Sequence, residues 1–251
     1  MKRGHPDSAA SWTRKALAML EEAADKRVAA QTRSYFKSGE APHSMGISAP
    51  KAREIEKRIY QAVKHEWSIA DAFRFADILI HNRYLEAKGV GILLLSRYAK
   101  DFDEGLLSTV RGWLEAGHCS NWASTDGLSM SVLTPLVGRT PHLLDEMKNW
   151  TESECMWIRR AAAVSLIPLA RRGEHLDTAY AVAAALLDDH EDLMHKAVGW
   201  LLRECGKTDP RRLETFLRAQ GGRIPRTALR YAIERFTPDL RKRLLEVTRG
   251  V

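Results

Sequence analysis

Two residues four apart raise the first chemical question. In "CSNWASTDGL", residues 119–128, Trp122 and Asp126 are separated only by Ala, Ser and Thr. On a helix this spacing puts the indole and the carboxylate on one face, about one turn apart. Two readings stand: an ordinary helix-surface pair, or a carboxylate held beside an aromatic wall to meet a cation. A second constellation lies in "HKAVGWLLRECGK", where Lys196, Trp200, Arg203 and Lys207 fall at i, i+4, i+7 and i+11, again one helical face. Val198, Leu201, Leu202 and Cys205 fall elsewhere and are expected in the core. An indole among three cations suits stacking against nucleic-acid sugars or bases; it equally suits packing under lysine stems. In "CMWIRRAAAVSLIPLA", Arg160 heads an Ala-rich run and is placed to give two hydrogen bonds to one phosphate. Its neighbour Arg159 points about 100° away, toward solvent.

These residues need helices to position them, and helices are what the pattern predicts. Apolar residues recur at three- and four-residue spacing almost throughout, and no segment reads as strand. Helices are expected over roughly 9–36, 50–64, 69–80, 83–99, 103–117, 121–137, 140–149, 154–171, 175–188, 191–206, 209–219, 224–236 and 238–248. Ser68 with Asp71 reads as a capping box. Pro50, Pro141 and Pro210 suit first turns, and Gly173 and Gly221 suit helix ends. The longest stretch without structure is "KSGEAPHSMGISA", 37–49.

A polar residue followed by a small one recurs at Glu86-Ala87, Asp126-Gly127, Arg160-Ala161, Lys196-Ala197 and Thr227-Ala228, with successive spacings of 40, 34, 36 and 31. That drifting period is near the one expected for stacked helix pairs of the HEAT or armadillo kind. The expectation is therefore an all-α, curved solenoid of HEAT-like helix pairs, forming a single domain over 1–251. The small residues would let helices approach, and the polar ones would line the concave face, where solenoids bind. A non-repeating helical bundle is the competing architecture.

Composition sets the outer limits. The chain has 251 residues, 45% hydrophobic and 28% charged, with few Gly and Pro, a globular and helix-rich balance. Thirty-nine Lys and Arg against 32 Asp and Glu leave a formal net charge of +7, which reads either as solubility or as the footprint of a polyanionic partner. Cys119, Cys155 and Cys205 are sparse and lack metal spacing, which suggests reduced thiols in a cytoplasmic setting. The N-terminus has no apolar run that would make a signal peptide, and no stretch is long and apolar enough to span a membrane. HExxH, GxSxG, Walker and GxGxxG motifs are all missing, as is a helix-hairpin-helix turn. His190 and His195 are not spaced to share a metal, so no metal or cofactor is expected.

"NWASTD", "WIRRAAAV" and "HKAVGWLLRECGK", in this order and spacing, resemble the AlkD-like DNA alkylation repair glycosylases, which are HEAT-like helical solenoids. "YFKSGEAPHSMGISAPKARE", 35–54, is similar to that family's N-terminal segment, so Tyr35 and Lys37 are expected near DNA. The resemblance runs from about Tyr35 to about Lys207. It implies that Trp122, Asp126 and Trp200 flank the lesion-bearing nucleotide as catalytic residues. It implies that Arg160 contacts DNA; Lys196, Arg203 and Lys207, read from the basic stripe itself, suit further contacts to the DNA backbone. The chain departs from the family at Asn121, where a second aromatic is common, and at Ala123, where a polar or acidic residue is. Both departures bear on substrate range or rate. Some relatives lack the catalytic types and only bind unusual DNA structures; retention of those types here argues against that role.

What the resemblance implies chemically fits the opening spacing. An N3- or N7-alkylated purine is cationic and already a good leaving group. Its departure leaves oxocarbenium character on the sugar, which a nearby carboxylate stabilises while orienting water. Indole faces add cation–π attraction and exclude water. No Schiff-base lysine is required, so the expected enzyme is a monofunctional glycosylase of base excision repair. Its expected partner is double-stranded DNA carrying alkylated bases, bound by a monomer away from any membrane. By the resemblance it grips backbone and sugar without flipping the base into a pocket. Two alternatives remain: a HEAT-repeat DNA-binding protein without activity, and a protein-binding scaffold.

Overall fold

The computed structural model describes residues 6–37 and 41–248. Among them the ordered elements are helical, and the one extended pairing is an isolated bridge between His43 and Tyr84. The chain is all-α. It divides into two compact units, residues 1–132 and 133–251.

The first unit holds α1 (Pro6–Glu22), α2 (Lys26–Ser34), α3 (Ala49–Val63), α4 (Ile69–Ile80), α5 (Leu85–Ser96), α6 (Gly105–Glu115) and α7 (Trp122–Leu128). Helix α4 spans the residues that its periodicity predicts. The Asp71 carboxylate accepts both the Ser68 backbone N–H (2.9 Å) and its hydroxyl (2.7 Å), which fixes the start of α4. Helices α4 and α5 pack against each other, α1 covers α4, and α3 and α7 lie against α5. Leu20, Ile55, Ile59, Phe75, Leu79, Leu94 and Leu95 form the fully buried centre.

The expected helix 9–36 is instead two. Asp25 is extended and caps α2, its side chain accepting the Arg27 N–H at 2.7 Å. The break is also enforced by the chain that crosses it. Gly46 sits at φ +80°, and a Cβ there would lie 1.8 Å from the Asp25 carbonyl oxygen. Only glycine fits that approach. Residues 41–48 are irregular, as expected, while 38–40 of the same stretch lie outside the described residues.

The second unit holds α8 (Thr134–Arg139), α9 (Leu143–Asn149), α10 (Met156–Arg171), α11 (Leu176–Ala185), α12 (Asp192–Thr208), α13 (Pro210–Gln220), α14 (Arg226–Ala232) and α15 (Pro238–Val247). Helix α10 is buried on nearly all sides, from Ile158 to Ala170, as a helix apolar all round must be. Helices α8, α9, α11 and α12 surround it, and α14 packs on α12. Pro210 opens α13 as expected, whereas Pro141 lies two residues ahead of α9. Gly173 and Gly221 take the left-handed conformations that end α10 and α13. The expected helix 121–137 is interrupted: Pro135 has no N–H to continue the i→i−4 ladder, and the helix widens to a π turn over Ser129–Leu133.

The polar-small pattern has a more specific meaning than a binding surface. Ala87, Ala161, Ala197 and Ala228 are fully buried, as close packing requires. Gly127 is the exception: a Cβ there would meet open space. Glu86 does not face outward. Its Oε1 accepts the Ser44 hydroxyl (2.5 Å) and the Gly46 and Ile47 N–H groups (3.0 and 3.3 Å), and Oε2 accepts the Met45 N–H (3.0 Å). A carboxylate with four donors pins that loop onto α5, which is why its polar character is kept in a buried position.

Candidate functional site

Helix α7 begins because Asn121 caps it. Asn121 is extended, and its Oδ1 accepts the Ser124 N–H at 3.0 Å. The Thr125 hydroxyl donates to the Cys119 carbonyl at 2.7 Å and the Ser129 hydroxyl to the Thr125 carbonyl at 2.7 Å, so the helix is tied at both ends. The departure from the family at Asn121 thus has a structural use. Trp122 is the first residue of α7, half-buried, and Asp126 follows one turn later, 8% exposed.

Trp122 is held by a residue that sequence reading missed. Phe36, just past α2, stacks on its ring with centroids 5.0 Å apart and planes 23° apart. An offset stack at this distance adds to the burial that fixes the indole. Tyr35 beside it is 65% exposed, and Lys37 is exposed. Next to this corner, α7 forms one wall of an apolar groove of about 520 Å³ through Ala123 and Gly127. Thr32 of α2 and Tyr35 just past its end line it on one side, and Ile92 and Leu93 of α5 on another. The open space beside Gly127 and the methyl of Ala123 make that wall shallow. Trp122 and Asp126 are outside the groove's lining, on the adjoining flank of α7.

In the second unit, Val198, Leu201, Leu202 and Cys205 of α12 are fully buried, and Lys196, Trp200 and Arg203 on the other face are half-buried. Gly199 allows α12 to meet α14: a Cβ there would lie 2.6 Å from both the Ala228 carbonyl oxygen and the Tyr231 Cβ. That contact places Tyr231, 38% exposed, beside the stripe as a second aromatic. Arg160 is 5% exposed at the start of α10, and its Nη1 donates to the Leu193 carbonyl of α12. It braces the helix that carries Lys196 and Trp200. Arg159, expected in solvent, is instead paired with Asp189 at 2.7 Å and donates to the Ser153 carbonyl at 2.8 Å. A residue 100° from the buried face still reaches a carboxylate on the loop after α11.

The cations of the stripe have acidic partners. Lys196 pairs with Asp192 (2.8 Å), Arg203 with Glu234, and Lys207 with Glu204 (2.7 Å). The Asp192 hydrogen bond raises the Lys196 ammonium above its ordinary value, against burial and the nearby charge of Arg160. Burial pushes Glu204 up, but hydrogen bonds from Lys207 and Arg171 outweigh it, and its carboxyl stands below its usual range. Spacings of three and four made the Glu204 and Asp192 pairs readable from sequence; Glu234, on another element, was not.

No group of three or more His, Cys, Asp or Glu placed to hold a metal occurs among the described residues. Burial raises the Cys119 thiol to about 11 and the Cys205 thiol to about 12, so neither is a thiolate at neutral pH. No helix among the described residues is long and apolar enough to cross a membrane.

Comparison with known proteins bears on both units. Residues 16–236 match the family described as DNA alkylation repair enzyme. Among solved structures, a predicted DNA alkylation repair enzyme from Enterococcus faecalis superposes with a TM-score of 0.74 at 19% identity, over 86% of this chain and 97% of that one. At that identity the likeness is one of fold. Among curated protein sequences the chain matches none. The family match spans all but the ends of an all-α chain, and the chain belongs to the DNA alkylation repair enzyme family.

Proposed function

We propose that this protein is a monofunctional DNA glycosylase that removes cationic N3- or N7-alkylated purines from duplex DNA. Family membership supports an enzyme of alkylation repair. The observation that carries the finer reading is Asp126 itself: a carboxylate 8% exposed, on the same helix face as Trp122, whose ring is locked by Phe36.

On this reading water attacks C1′ of the damaged nucleotide as the N-glycosidic bond breaks. The bond's electron pair leaves with the base and cancels its positive charge. Asp126 stabilises the oxocarbenium character of the sugar and orients the water, whose proton passes to solvent. Trp122 shields that charge from bulk water and presents a π face to it. Trp200 is assigned to the same nucleotide by the family resemblance. Tyr35, Lys37, Arg160, Lys196, Arg203 and Lys207 are assigned to the DNA backbone. The Lys196–Asp192 pair is exposed on both sides and therefore weak, so a phosphate can replace that carboxylate; Arg203 and Lys207 would meet phosphates while keeping their contacts to Glu234 and the buried Glu204. The test is release of 3-methyladenine and 7-methylguanine from alkylated duplex, with wild type and Asp126→Asn side by side. The reading expects free base from wild type only; no base released by wild type would overturn it.

A further inference from the structure

A second cavity of the first unit is polar where the groove is apolar. It measures about 490 Å³ and is lined by His43, Asn82, Arg83, Lys88, His118 and Asn121, with His81 at its edge beside His118. The His81 and His118 rings lie 4.0 Å apart. Lys88 is the unusual member. It is only 8% exposed, and its ammonium donates to the Ile80 carbonyl at the end of α4 (2.5 Å), with no carboxylate in ion-pair range among the described residues. A buried ammonium facing one carbonyl is incompletely compensated. The carboxylates of the surrounding elements already have partners, and Asp77 meets one of the pocket's own residues, His81. Asp77 of α4 receives the Trp113 indole N–H (2.9 Å) and pairs with His81 (3.6 Å), and Glu86 of α5 holds the 44–47 loop. Cys119 is a neutral thiol at physiological pH.

The rest of the lining is rich in groups that can donate to an anion. Arg83, at the rim, lies over the Tyr84 ring and donates to its hydroxyl at 2.7 Å, which orients its guanidinium. The Asn121 oxygen caps α7, which leaves its amide nitrogen as a donor. The His81 Nδ1 donates to the Asp77 carbonyl at 2.8 Å, so that N–H is used within its own helix end and His81 serves as a neighbour of His118 instead of a donor. We propose that this pocket binds a phosphate group, with Lys88 and Arg83 as the fixed cations and His43, His118 and Asn121 as the surrounding donors. The pocket is wider than one phosphate and has room for an attached sugar. The DNA reading bears only on where the phosphate comes from. Asn121 starts the helix that carries Trp122 and Asp126, so a strand phosphate held here would be positioned relative to them. Burial, then the charges of His81 and Lys88, push His118 below its ordinary value; a bound anion reverses that.

The test is titration of inorganic phosphate into the full chain, followed by the histidine ring resonances, for wild type, Lys88→Met and Arg83→Ala. The expected result is saturable binding on the order of millimolar, a rise in the His118 titration midpoint, and at least about a tenfold loss in each variant. Lys88→Met removes a desolvated charge and is expected to fold at least as stably, and Arg83 is exposed, so both variants report on binding. No saturable shift of His81 and His118, or variants that bind as wild type does, would overturn the proposal whatever the glycosylase assay shows. Lesion-free duplex distinguishes the sources. A salt slope lower by about one in Arg83→Ala supports a strand phosphate. An unchanged slope, with inorganic phosphate still bound, supports the pocket as a site for a free phosphate compound.

Discussion

Phe36 lies face to face with Trp122, ring centroids 5.0 Å apart, and this contact ties the chain after α2 to the first residue of α7. It fixes the indole one turn from Asp126. Phe36→Ala is expected to cost about 1 kcal/mol of aromatic pairing beyond the lost burial. It should slow excision more than it weakens binding to undamaged DNA, because the backbone contacts remain. Thermal unfolding and single-turnover excision measured together check this.

Asp126→Asn keeps the size of the side chain and removes its charge. The expected loss is on the order of 10²–10³-fold in single-turnover excision at saturating enzyme. The loss should be greatest for lesions with stable glycosidic bonds and smallest for N7 adducts that depart readily unaided. Binding should persist or tighten, since a negative charge near phosphates is gone. A wild-type rate in this variant would remove the carboxylate from the mechanism.

Binding to duplex DNA is expected to fall steeply from low to physiological salt, because the assigned contacts are Lys and Arg to phosphate. Arg160→Ala should weaken binding to all sequences about equally. Its guanidinium also donates to the Leu193 carbonyl, so the same change is expected to cost about 1–3 kcal/mol of stability. Denaturation alongside a salt series separates the two effects. A change in sequence preference would show that Arg160 reads bases.

Glu204 is 1% exposed and bonded to Arg171 and Lys207 at 2.8 and 2.7 Å. Its folded-state pKa is depressed, so its contribution is complete above the unfolded carboxylate value and is lost as the pH falls through the folded one. Glu204→Gln is expected to destabilise by about 1–3 kcal/mol at neutral pH, the smaller end reflecting the water around its partners. The gap to wild type should close in acid. Urea midpoints from pH 7 to pH 3 check the direction.

Much of the fold is written in local spacing. Helical periodicity and the Ser68–Asp71 box place α4 at residues 69–80, and Val198, Leu201, Leu202 and Cys205 are buried as their positions on α12 require. These are interactions among residues three and four apart, which a sequence displays directly. The same holds for Trp122 and Asp126 sharing one face of α7. Other features depend on what arrives from far along the chain. Periodicity continues through Asp25, yet the helix breaks there, because Gly46 brings a second backbone against its carbonyl. Glu86 carries the polar mark of a surface residue, and the 44–47 loop makes it a buried anchor. Arg203 reads as a free cation until α14 packs on α12 and Glu234 meets it. Phe36 has no visible relation to Trp122, nor His43 and Lys88 to His118, before packing brings them together. Local geometry determines which residues share a helix face; burial and long-range packing decide which partner each face receives, and therefore which charges stay available for a ligand.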